Sequence, residues 1–103
     1  MARKRPAIKA VIYDRKGRVL SIGYNSYVKT HPMQARLAIA AGEPDRAFLH
    51  AEVHAIVRCR DLQKAHKIFV SRWDSQGRPK LAKPCTICQS AIKAAGIKHI
   101  FHT

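Results

Sequence analysis

The chain has 103 residues, 47% of them hydrophobic, which is enough for one domain with a modest core. Twenty Lys and Arg against six Asp and Glu give a formal charge of +14, which favours phosphate-bearing partners over acidic ones of no particular chemistry; generic solubility and an acidic protein partner are the plainer readings. Three cysteines, two of them spaced C-x-x-C, argue against a disulfide framework and for a reducing cytoplasm, and the basic N-terminus is followed by no apolar run of the kind a secretory signal or membrane span needs.

Residues 1–6 read as a basic arm to a single domain. Ala7 to Tyr13 and Val19 to Tyr24 have the β-rich composition of two strands, and Asp14-Arg15-Lys16-Gly17 between them makes a β-hairpin the simplest reading. Asn25 to Pro32 follows neither period and is expected to be a loop. Met33 to Ala41 is rich in helix formers, with Gly42 to close it. A second helix is expected from about His50 to about Arg60, with Val53, Ile56 and Val57 as its apolar stripe. Lys67 to Ser71 is too short for a helix and reads as a buried strand, and Arg72 to Lys83 as a long exposed loop. A third helix is expected to start at Pro84 and end at Gly96, and Ile97 to His102 to close the sheet. The order ββ-α-α-β-α-β gives an α/β fold, a mixed four-stranded sheet covered by about three helices. A chain this short gains from a metal clip or from a homo-oligomer.

The chemistry concentrates at two helix starts. His50-Ala51-Glu52 opens one, and Pro84-Cys85-Thr86-Ile87-Cys88 opens the other. Helix starts and strand ends gather along one edge of such a sheet, so the two clusters are expected to meet. Cys85 and Cys88 are three apart, which turns both sulfurs to one side of a helix. The helix dipole and Lys83 favour their thiolates. One imidazole and two thiols leave the fourth position of a tetrahedral zinc for water, which separates a catalytic site from a structural one. Glu52, two residues from His50, is poorly placed as a ligand and better placed to exchange protons with that water. His54, one turn beyond His50, reads as a packed histidine, and Cys59 as a small buried hydrophobe. Trp73, in a basic stretch with Arg72, Arg78 and Lys80, suits either a stacking platform for a base or plain packing, and His31 is a candidate for the rim of a pocket.

His50-Ala51-Glu52 with Pro84-Cys85-Thr86-Ile87-Cys88 resembles the zinc-dependent cytidine and deoxycytidylate deaminase-like superfamily, whose pattern is H-A-E followed by P-C-x-x-C. The resemblance implies Zn2+ on His50, Cys85 and Cys88, with Glu52 shuttling protons while activated water attacks the amino-bearing ring carbon and ammonia leaves. It also implies Asn25 near the sugar, and Ala51 and Pro84 near the base. Ala94-Ala95-Gly96-Ile97-Lys98 is most similar to the endings of deoxycytidylate deaminase-like proteins, small phage-encoded ones included, which would place the chain in the cytoplasm of a host cell. The H-A-E-V-H-A run is also similar to deaminases of riboflavin biosynthesis, which have a different cysteine spacing. Two departures stand out: the segment 72–83 before Pro84 is long, and relatives commonly have one more strand.

The expected function is hydrolytic conversion of cytosine to uracil, either on a deoxycytidine nucleotide (dCMP) or on cytosine in single-stranded nucleic acid. The alternative is a non-catalytic nucleic-acid-binding module on the same scaffold.

Overall fold

The computed structural model describes residues 7–25, 32, 35, 36, 39 and 50–103. β1 (Ala7–Tyr13) and β2 (Val19–Tyr24) form the expected antiparallel hairpin with the expected bounds. Its turn is built by Asp14. Oδ1 accepts the amides of Lys16 and Arg18, each at 2.9 Å, and Arg18 Nε donates to Oδ2 at 2.9 Å. Gly17 takes φ +83°, a conformation in which a Cβ would be strained.

β3 (Lys67–Trp73) lies antiparallel to β1, and β5 (His99–His102) lies parallel to the first half of β3. The stretch 72–83 departs from the exposed loop expected of it. β3 runs on to Trp73, turns, and returns as a two-residue strand β4 (Pro79–Lys80). The mixed sheet therefore has the four expected strands and a short fifth, in the order β2-β1-β3-β4, with β5 beside β4 on the same edge of β3. The physical reason is a second copy of the first turn: Asp74 Oδ1 accepts the amides of Gln76 and Arg78 at 2.9 Å, Arg78 Nε donates to Oδ2 at 3.1 Å, and Gly77 takes φ +81°. Thr103 seals the junction of β4 and β5. Its amide donates to Val70 O at 3.0 Å, its hydroxyl donates to Lys80 O at 2.7 Å, and its carbonyl accepts from Ala82 N at 2.8 Å.

Among the described residues two helices pack on one face. α1 spans Ala51–Arg58 and α2 spans Thr86–Ala94, with a 3-10 turn at Leu62–Lys64 between. The helix expected over 33–41 falls mostly outside the described residues, although Pro32, Ala35, Arg36 and Ile39 are helical. α2 begins two residues later than expected because Cys85 is extended and the Pro84 carbonyl is taken by the Gln89 side chain at 2.8 Å. It ends in a Schellman motif: Gly96, at φ +80°, donates to Lys93 O at 3.0 Å and Ile97 donates to Ile92 O at 3.3 Å. That second bond commits the Ile97 amide to the helix, so β5 starts at His99 rather than at Ile97.

The core lies between helices and sheet. Ala10 and Ile12 of β1, and Ile68 and Val70 of β3, alternate toward it and meet Val53, Ala55 and Ile56 of α1 and Cys88, Ala91 and Ile92 of α2. Val57, expected in the apolar stripe, is 38% exposed. The side of α1 that packs on β2 is formed instead by the small residues Ala51 and Ala55, which allow a closer approach than a Val would.

Candidate metal centre

Both helices start along the edge of the sheet where β2 and β3 end. His50 is the residue before α1 (φ −85°, ψ 153°) and Cys85 the residue before α2 (φ −69°, ψ 170°), both extended, and neither side chain makes a capping bond. Ser, Thr, Asp or Asn at such a position closes the first turn, typically by about 1 kcal/mol. Here that contribution is given up and the side chains turn to one another.

His50 Nδ1 lies 3.2 Å from Cys88 Sγ and 3.6 Å from Cys85 Sγ, and the three donor atoms fall within 4.8 Å of one another. A tetrahedral zinc with Zn–S near 2.3 Å and Zn–N near 2.0–2.1 Å separates sulfur from nitrogen by about 3.6 Å. The donor set fits zinc in type, number and spacing, and leaves one position open.

What brings His50 this close is a glycine far away in sequence. A Cβ on Gly23 of β2 would collide with the Ala55 amide nitrogen and the Ala51 carbonyl, and would lie 2.8 Å from Ala55 Cα. The helix that carries His50 therefore rests on bare backbone. Ser21 Oγ donates to Ala55 O at 2.8 Å, and the Tyr24 amide donates to His54 Nδ1 at 3.0 Å, so two further groups of β2 pin α1 in place. His54 is thus a strap between helix and strand, outside the cluster.

Glu52 is only 5% exposed. Burial pushes its carboxyl above the usual carboxylate range, against opposing pulls from its own amide, the Cys88 thiol and the His50 ring. The two thiols divide their roles. Hydrogen bonding from Cys88, then from His50, holds Cys85 down at about 3 despite partial burial, while the bond to Cys85, burial and the Glu52 charge push Cys88 up. A metal that takes both sulfurs must displace whatever protons they carry without it.

The other expected site residues have varied surroundings. Ala51 is fully buried in the first turn of α1, and Pro84 is buried beside Cys85. Asn25 Oδ1 accepts the Ile8 backbone amide at 2.9 Å and the Asn25 backbone N–H donates to Ile8 O at 3.2 Å, so the residue ties the β1 and β2 ends together and its side-chain Nδ2 makes no bond among the described residues. Trp73 is half-buried, on β3 rather than in a loop, paired with Ala7 and Pro79. His31 lies outside the described residues. Sequence reasoning missed Gly23 and Ser21, whose roles depend on contacts with a helix about thirty residues away.

No helix of the described residues is long and apolar enough to cross a membrane. No curated protein matches the chain. A family model for the cytidine and deoxycytidylate deaminase zinc-binding region matches residues 2–103, almost the full length. With three zinc-compatible donors gathered from the two motifs of that family, the chain belongs to the cytidine and deoxycytidylate deaminases and its cofactor is Zn2+.

Proposed function

We propose that the chain converts cytosine to uracil by hydrolysis on a phosphate-bearing substrate, with a deoxycytidine nucleotide (dCMP) as the first reading. In this reading His50, Cys85 and Cys88 hold zinc and Glu52 is the catalytic acid and base. Zinc, when bound, supplies a Lewis acid that makes water reactive near neutral pH. Glu52 takes the proton of that water, holds it on a carboxyl oxygen in a buried site, and delivers it to the departing amino nitrogen. The burial of the Cys88 side chain and of Glu52 keeps bulk water from competing for that proton. Asn25 offers its free amide donors to the sugar, and Ala51 and Pro84 border the base.

The observation that carries this reading is the buried carboxylate beside three zinc-compatible donors. A scaffold that only bound nucleic acid would bear the cost of burying Glu52 with nothing to offset it. Cytosine in single-stranded nucleic acid is the second reading, supported by the charge of +14 and by Trp73 at the site edge of β3. Against it, Arg78 and Lys80 of the adjoining hairpin already face Asp74 at 3.1 and 3.9 Å, so part of that basic stretch is neutralised internally.

Ammonia release from dCMP, cytidine and a cytosine-containing oligonucleotide tests the proposal, with Glu52→Ala as control. Release from dCMP at a rate well above cytidine supports the first reading. Release from the oligonucleotide alone, with a steep salt dependence, moves the assignment to the second. Release from none of the three by the zinc-loaded chain sinks both.

A further inference from the structure

The sheet face turned away from α1 and α2 carries a second arrangement, at the far end of the strands from the zinc cluster. Pairing across β1, β3 and β5 sets Val11 beside Phe69 and Phe69 beside Phe101, so one row of that face is apolar and aromatic. The next row, by the same register, is Tyr13, Lys67 and His99. Exposure rises outward along the first row: Val11 is buried, Phe69 is 37% exposed and Phe101 is 51% exposed. Lys67 Nζ stands 5.1 Å from the centre of the Tyr13 ring, and these two side chains with Phe69 and Phe101 line one depression of the surface.

Positive charge gathers at the same end. Burial, then the neighbouring His99, Arg15, Lys98 and Lys67, hold His66 below the usual imidazole range. Among the described residues, none of Arg15, Lys67 and Lys98 is in an ion pair. A second copy of the chain is a poor occupant, because it would bring the same cations and another +14 against them. Stacked planar bases and a line of phosphates complement both features, rings for rings and cations for anions.

We propose that this aromatic and basic face is a docking surface for a single-stranded polynucleotide, with bases on Phe69 and Phe101 and phosphates on Lys67, Lys98 and Arg15. It lies on the face of the sheet opposite to α1 and α2, whose first turns carry the zinc cluster. The surface does not depend on which cytosine substrate the zinc site takes.

Anisotropy of a short labelled oligothymidylate, which offers no cytosine to the zinc site, provides the test. Phe101→Ala weakens binding about five- to 150-fold, and Phe101→Trp restores it. Lys67→Glu combined with Lys98→Glu shallows the log–log salt dependence by about 1.4, two phosphates at about 0.7 each. Zinc content and ammonia release from dCMP stay at the wild-type level in all these variants, which shows that they fold. Failure of the wild-type chain to bind overturns the proposal, as does wild-type affinity in Phe101→Ala, or loss of binding in Trp73→Ala alone. A sedimentation shift in Phe101→Ala assigns the face to self-association and overturns it equally. A wild-type chain that binds the oligothymidylate and releases no ammonia from any cytosine substrate would sink the enzyme reading and leave this surface standing.

Discussion

Glu52 is held where its charge is disfavoured, and the sign of that effect gives a measurement. Its folded pKa is raised, so its contribution to stability is full below the unfolded value of about 4.3 and is lost as pH rises through the higher folded value. In the zinc-free protein, Glu52→Gln should therefore melt at a higher temperature than wild type at pH 8 and match it near pH 4. Thermal unfolding at the two values checks this. In the zinc-loaded protein the same position should behave differently: Glu52→Ala should keep its metal by elemental analysis and lose ammonia release, and loss of metal in that variant would make the carboxylate a ligand. Gly23 makes the opposite kind of demand. Gly23→Ala forces a methyl into the backbone of α1, and should cost about 3 kcal/mol in chemical denaturation and lower zinc affinity with it. The contrast explains what could be read in advance. His50, Glu52, Cys85 and Cys88 announce themselves because few other uses exist for those groups at that spacing. Gly23 and Ala55 look like filler until the fold sets them against each other.

At the scale of elements, the two hairpins share one device. Asp14-Arg15-Lys16-Gly17-Arg18 and Asp74-Ser75-Gln76-Gly77-Arg78 follow the same five-residue pattern, aspartate first, glycine fourth and arginine fifth, and make the same bonds. The first was legible as a hairpin because strands of obvious composition flank it. The second was not, because β4 is two residues long and contains a proline, which belongs only at a strand edge. The repeated pattern was the available clue. Backbone donors, above all the Arg18 and Arg78 amides, hold Asp14 and Asp74 below the usual carboxylate range. A lowered folded pKa places the stabilisation above the unfolded value, about 3.9, and removes it as pH falls through the folded one. Asp14→Ala and Asp74→Ala should each lower the melting temperature at pH 7 and leave a weaker acid dependence below pH 4. The effect of Asp14 should be the greater, since it is buried at 6% exposure while Asp74 is half-buried. Helix ends were legible where glycine closes them, as at Gly96, and less so at their starts, where the residue that begins each helix is a donor rather than a cap.

For the molecule as a whole, zinc and the fold are linked. Two elements of the core, α1 and α2, meet through the donor cluster, so Cys85→Ala or Cys88→Ala should lose zinc and lower the melting temperature, with Cys88 costing more because its side chain is fully buried. Because zinc binds thiolates and the Cys88 thiol is pushed up by its bond to Cys85 and by burial, calorimetry in buffers of different ionisation enthalpy should report proton release on zinc uptake, and zinc affinity should fall on acidification. The absent caps on α1 and α2 carry a last consequence. With no hydroxyl or carboxylate to latch the first turn, the ion becomes the latch for both helices at once. Chelation should quicken deuterium uptake at Ala51–Val53 and at Thr86–Cys88 together, while the glycine-closed end of α2 keeps its protection, so that one reagent unzips two distant segments from the same side of the molecule.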